Sequence, residues 1–188
     1  WADGRVQGGG ARVQYPGDMD AVTWLGAEGP QMLALARDSA GGVIFSAFST
    51  PAYLDWAMAT LKTCDSYPTV LYLHMSVHED ADIAAEAARN ILIGRIKAGY
   101  VSSSMRRSGY WNVIEPLLGA PADVIEPWLT EELISAFIVF GTPDQCRQKL
   151  RAFEDTGVDE IALAPNINND PTRLGEAITM LSGVLAGT

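Results

Sequence analysis

The chain has 188 residues, 48% hydrophobic and 19% charged, a composition that excludes a disordered or low-complexity protein. Its 13 Lys and Arg against 23 Asp and Glu leave a net charge of −10, which argues against phosphate backbones or anionic membranes as partners. No apolar run approaches the roughly 18 residues of a membrane helix, and the polar start Trp1-Ala2-Asp3-Gly4-Arg5 lacks the layout of a secretion signal, so a cytoplasmic address is expected.

Residues 1–19 hold Gly4, Gly8, Gly9, Gly10, Pro16 and Gly17 and read as a loop segment leading into the domain, which spans 20–188. Trp1 stands where a gene product would carry Met, and a fragment is expected. The triple glycine is no phosphate loop, because no strand precedes it and Pro16-Gly17 follows. Ala21 to Ala27 is a β-branched and aromatic run without polar alternation, the pattern of a parallel strand covered on both faces. Pro30 suits a first helical turn, and Met32, Leu33, Leu35 and Ala36 repeat at helical spacing up to Gly41-Gly42.

A second strand is predicted over 43–48, and Thr50-Pro51 opens a helix through about 63. Pro68 introduces a third strand, 69–77, and the acidic residues from Glu79 to Asp82 sit at the start of an alanine-rich helix to about 98. A long helical excursion follows, broken at Gly109, Pro116, Gly119, Pro121 and Pro127. Thr142-Pro143-Asp144-Gln145 makes a capping box, and the helix it opens carries Cys146, Leu150 and Phe153 inward until Gly157. Glu160 to Ala164 reads as the fourth strand, and Asp170-Pro171 opens a last helix ending near Gly187. Cys64 and Cys146 have no partner at metal spacing and read as reduced, half-buried fillers.

Four βα units in succession imply a parallel sheet with helical crossovers, either doubly wound or part of a (β/α)8 barrel. Half a barrel leaves two parallel edges open, which the other half would cover. The fold class is therefore α/β, the C-terminal half of a TIM barrel, with about four parallel strands and the excursion before the last.

Two stretches carry a family resemblance. Gly26-Ala27-Glu28-Gly29-Pro30-Gln31-Met32-Leu33-Ala34-Leu35-Ala36 followed by Gly42-Val43-Ile44 resembles the (G/A)xGPxMLxLA strand-loop-helix segment of luciferase-like monooxygenases. Phe140-Gly141-Thr142-Pro143-Asp144-Gln145-Cys146, with the run Gly157 to Pro165, is similar to the ending of the same family, in the same order and separation. The resemblance covers roughly residues 20–188 and implies a flavin- or deazaflavin-dependent oxidoreductase that binds FMN or coenzyme F-420 at the C-terminal face of the barrel. It implies hydride transfer or oxygen activation on a small-molecule substrate. The family's Asp before Gly-Val is Gly41 here, a departure expected to loosen one turn.

The loop after the first strand is the leading site candidate on physical grounds too, since unpaired N–H groups and the helix dipole at a helix start favour an anion. By resemblance Gly26, Ala27, Glu28, Gly29 and Gln31 hold the cofactor phosphate, largely through backbone; the alternative is a plain helix cap, and the Glu28 carboxylate would repel a phosphate unless turned away. Functional groups of a barrel sit at strand C-termini, which nominates Ser46, Phe48, Ser49, Ser76, His78 and Asn166 for the pocket. His74 and His78 stand about 13 Å apart along one strand, too far to share a metal ion. For His78 the competing reading is an ordinary loop histidine, and for His74 interior packing. Tyr110 and Trp111, preceded by Arg106 and Arg107, offer aromatic and cationic groups to a substrate or cofactor tail, against a reading as helix packing.

No GxSxG, HExxH or CxxC motif supports covalent or metal chemistry, and no catalytic residue is assigned. In the family much of the ring pocket comes from earlier strands, so the chain alone is expected to be inactive. A different class of function, a barrel remnant serving as a structural or subunit-interaction module, stands as the alternative. An aldolase on the same fold is disfavoured because no Lys falls in a strand. Association into homo-oligomers is left open.

Overall fold

A computed structural model describes residues 22–61, 67–166 and 174–185. Its elements run β1 (Trp24–Gly26), α1 (Pro30–Ser39), β2 (Gly42–Phe45), α2 (Pro51–Leu61), β3 (Thr69–Val77), α3 (Ala81–Lys97), α4 (Ser103–Arg106), α5 (Trp111–Ile114), α6 (Ala122–Ile125), α7 (Glu131–Phe137), β4 (Val139–Gly141), α8 (Pro143–Glu154), β5 (Glu160–Pro165) and α9 (Leu174–Leu185). Single 3-10 turns, Glu115–Leu117 and Glu126–Trp128, follow α5 and α6. The opening Asp170-Pro171, residues 1–19 and Cys64 lie outside the described residues.

All described strand pairs are parallel. β3 is the hub: β2 pairs with its first residues (Val43↔Thr69 to Phe45↔Leu71), β5 with its middle (Val70↔Glu160 to Met75↔Pro165) and β4 with its end (Met75↔Val139 to Val77↔Gly141). β4 is the addition to the sequence reading, which runs helix through Val139–Gly141 and so counts four strands where the sheet has five. Three residues are too short to show a period, and β4 is recognisable only by its register against β3.

Local chemistry explains most boundaries. Pro30 starts α1, and Tyr67 closes it by donating its hydroxyl to the carbonyls of Ala36 (2.6 Å) and Ala40 (3.1 Å). Asp80 caps α3 through the Asp82 N–H, and Thr142 and Gln145 form the reciprocal capping box of α8. The inward stripe of α8 is Cys146, Leu150 and Phe153, as its spacing predicts. Cys146 is fully rather than half buried, and burial pushes its thiol up to about 11. At Gly41 a side chain would run into Val22, which accounts for glycine where the family pattern has Asp.

Two cores result. The first lies between one sheet face (Val43, Phe45, Leu71, Leu73, Met75) and helices α1, α2, α8 and α9. The second holds the excursion together, with Leu92, Ile96, Met105, Ile125 and Phe137 at its centre and Phe140 joining it from β4. The other sheet face is open, contrary to the expectation of strands covered on both sides. Trp24, Ile44 and Tyr72 point there and are 37%, 39% and 46% exposed, because no described element packs against them. Period-2 alternation puts them opposite Leu25, Val43 and Leu71, which face the helices.

Candidate functional site

The C-terminal ends of β1 and β2 and the middle of β3 border a shallow cavity of about 510 Å3 on the open face. Gly26, Ala27 and Glu28 from the loop after β1 meet Ser46 from the end of β2, and Ile44 and Tyr72 form its apolar side. Four residues nominated from the sequence are thereby brought together from two separate strand ends.

The loop is held by its neighbours. The Ala27 N–H donates to the Ile44 carbonyl (3.3 Å), and the Tyr53 hydroxyl donates to the carbonyls of Glu28 (3.0 Å) and Ala27 (3.5 Å). Burial raises the Tyr53 pKa, with the Glu28 charge adding and Arg107 opposing, so this hydroxyl stays a donor. Gly29 precedes α1 in an extended conformation without a side-chain cap, and no acidic residue stands in the first turn. The N–H groups of this helix start thus have no side-chain cap. A Cβ on Gly29 would stand 3.3 Å from the Ser103 hydroxyl, so the excursion closes over this loop at glycine distance. Gln31 is exposed on the first turn and does not line the cavity.

Beyond β2 the chain turns through a Ser49 N–H to Ser46 carbonyl bond (3.1 Å) into α2, where Thr50 accepts from the Tyr53 N–H and donates to the Ser108 carbonyl (3.1 Å). Ser49 is fully buried, and its hydroxyl oxygen has no hydrogen-bond partner. Phe48 packs edge-on against His74 (5.1 Å), which also meets Tyr72 (6.0 Å). Burial lowers the His74 pKa, so its ring is neutral at pH 7.

The remaining nominations fall elsewhere. The His78 ring nitrogen Nδ1 accepts from the Asp80 N–H (2.9 Å), a turn-forming role beside the start of α3. Ser76 is buried in the β3–β4 pairing, and the Asn166 N–H bonds to the Met75 carbonyl (2.8 Å). Tyr110 donates to Glu132 (3.1 Å) and packs on Phe137, while Trp111 carries the Arg106 guanidinium at 5.3 Å; both aromatics belong to the excursion core. Among the described residues no group of His, Cys, Asp and Glu could hold a metal ion, and no helix is long and apolar enough to cross a membrane. Sequence reasoning passed over Tyr72 and Arg95. Alternation along β3 puts Tyr72 on the face of His74; nothing local announces Arg95, whose guanidinium reaches Phe48 from the far end of α3.

The model of the luciferase-like monooxygenase family matches residues 3–160. The chain belongs to this family. It is 29% identical over 182 residues to the 5,10-methylenetetrahydromethanopterin reductase of Archaeoglobus fulgidus, covering 86% of this chain and 53% of that protein. The corresponding reductase of Methanolobus tindarius is 28% identical over 197 residues, covering 92% and 58%. The chain thus spans just over half the length of these relatives. Its fold matches the coenzyme F420 dependent tetrahydromethanopterin reductase of Methanopyrus kandleri with a TM-score of 0.68 at 23% identity, covering 89% of this chain and 51% of that one. An F420-dependent secondary alcohol dehydrogenase shares the fold at a TM-score of 0.57 and 13% identity. As a member of the luciferase-like monooxygenase family, the chain is α/β with the parallel strands and helical crossovers of a TIM-type barrel.

Proposed function

We propose that the chain supplies the cofactor-holding C-terminal strands of an oxidoreductase that uses a deazaflavin or flavin, coenzyme F-420 before FMN, on a small-molecule substrate. The observation that carries this reading is the cavity at the ends of β1 and β2, which assembles Gly26, Ala27, Glu28 and Ser46 beside the uncapped start of α1. Relatives whose names specify F420 support the order of preference. Such a cofactor fits the residues present: its ring suits the apolar side formed by Ile44 and Tyr72, and an anionic tail suits the backbone from Ala27 to Gly29 at the start of α1.

When bound, the cofactor supplies the hydride or electron chemistry. The chain's own residues bind and orient. Tyr53 holds the carbonyls of Ala27 and Glu28, Ser46 offers a hydroxyl at the cavity edge, and Phe48 packs against the His74 ring. The open sheet face is where the remaining strands of a complete barrel pack, which makes the ring pocket a joint product of both halves.

Absorbance of the purified complete protein tests the proposal. A deazaflavin or flavin band that copurifies, or saturable binding on titration with F-420 or FMN, is the expected result; binding of neither rejects it.

A further inference from the structure

A second cavity, of about 250 Å3, lies in the helical layer and shares no lining residue with the one at the ends of β1 and β2. Helices α3 and α8 both pack on β4, and the cavity occupies the cleft between them, with Phe140 of β4 and Ile134 of α7 as its apolar side. Ala81 and Ala85, one turn apart on α3, leave the room that longer side chains would take. The volume equals that of roughly eight water molecules, which suits a small organic ion and not a flavin or nucleotide. Two side chains of each charge sign line the cleft, so as a whole it favours neither a simple anion nor a simple cation. One pair is satisfied internally: Lys149 Nζ stands 3.4 Å from the Phe140 ring centroid and 3.3 Å from Glu131 Oε1. The other two groups are not. Arg89 donates Nη1 to the Leu129 carbonyl (3.0 Å), which fixes its guanidinium, and among the described residues neither Arg89 nor Asp82 makes a side-chain ion pair. They sit two turns apart on one face of α3, about 10 Å along the axis, and so present opposite charges at a distance from each other in one cleft.

We propose that this cleft binds a small zwitterion whose carboxylate and ammonium are held apart by a short apolar spacer. Arg89 takes the carboxylate, which its planar fork of donors matches, and Asp82 takes the ammonium. The spacer lies on Phe140 and Ile134, while the Lys149–Glu131 pair forms a wall that is already neutral. A ligand with both charges on one carbon, as in an α-amino acid, satisfies one of the two groups and leaves the other unmet; a plain carboxylate or amine does the same. Gly141 at the edge of the cleft accepts the His78 N–H from the end of β3 (3.1 Å), so an occupant adjoins that strand end without entering the cavity at β1 and β2. The inference stands apart from the cofactor reading, since the two cavities have no residue in common.

The experiment is calorimetric titration of the complete protein with ε-aminocaproate, its isomer norleucine, caproate and hexylamine. Saturable binding of ε-aminocaproate is expected, tighter by about tenfold or more than any of the other three, the scale of one added charge-assisted hydrogen bond. Arg89→Met lowers its affinity to that of hexylamine for the unaltered protein, and Asp82→Asn lowers it to that of caproate, with thermal melts showing that both variants fold. Asp82 is exposed, so its substitution can be read even where Arg89→Met fails to fold. Absence of saturable ε-aminocaproate binding, equal affinity for norleucine, or an affinity that Asp82→Asn leaves unchanged overturns the inference.

Discussion

A hydroxyl sealed from water without a partner costs about 1–3 kcal/mol, and Ser49, two residues before α2, is such a group. Ser49→Ala is therefore expected to leave stability unchanged or raise it by up to about 1 kcal/mol in a denaturant melt. A lower melting midpoint would show that the hydroxyl already has a partner. Tyr53 is the converse case, because its hydroxyl serves two loop carbonyls. Tyr53→Phe should cost about 1–2 kcal/mol and loosen Ala27 to Gly29, seen as faster amide exchange in that loop. His74 gives a pH signature. Its folded pKa lies below the ordinary 6.5, so the unfolded chain takes up the proton first and stability falls as pH drops from about 6.5 toward the folded value, then levels off. His74→Gln should flatten that slope in melts recorded between pH 7 and 5.

At the scale of elements, the run Gly157-Val158-Asp159-Glu160 reads from sequence as part of a family signature, and the structure gives it a mechanical reason. Asp159 Oδ2 accepts from both the N–H (2.8 Å) and the hydroxyl (2.7 Å) of Thr69, and the Thr69 hydroxyl oxygen in turn faces the Asp159 N–H at 3.0 Å. This clasp joins the starts of β3 and β5 across ninety positions of sequence and sets the register of the longest strand pair. Asp159→Ala leaves the part-buried Thr69 groups unpaired and is expected to cost about 2–3 kcal/mol in chemical denaturation; a loss below about 0.5 kcal/mol would show that the register is held by the apolar pairs instead. The other half of the signature, Gly141-Thr142-Pro143, is equally structural. Gly141 takes φ +131, and a side chain there would strike Gln145 and spoil the capping box of α8. Gly141-Thr142-Pro143 was legible because a cap and a turn are local devices written in adjacent residues, whereas the partner of Asp159 lies ninety positions away and only the fold supplies it. β4 was not, since its three residues are indistinguishable from the end of α7 until β3 lies beside them.

For the whole molecule the open sheet face is the governing feature. Trp24, Ile44 and Tyr72 are large and apolar, and no described element covers them. The 188-residue chain by itself should bind an apolar dye such as ANS strongly, and Ile44→Lys should reduce that signal and improve its solubility. In the complete barrel proposed above the same substitution is expected to destabilise, because the lysine would be buried against the strands that close it. Equal dye binding by the chain and the complete protein would count against barrel closure over this face.

What the amino-acid order determined by itself was local: where helices begin, which stripe of α8 turns inward, which strands are parallel because helices intervene, and that the loop from Gly26 to Gly29 leads into a helix start. Such features depend on neighbours within a turn or two, so the order of residues contains them. The tertiary structure decided which nominated residues share a cavity, sending Ser46 to join Gly26 and Ala27 while His78, Tyr110 and Trp111 went to turns and the excursion core. It also brought Arg95 onto Phe48 and left one sheet face uncovered by any described element. Those outcomes depend on which distant surfaces bury one another, a competition settled by packing among elements and not by any segment alone.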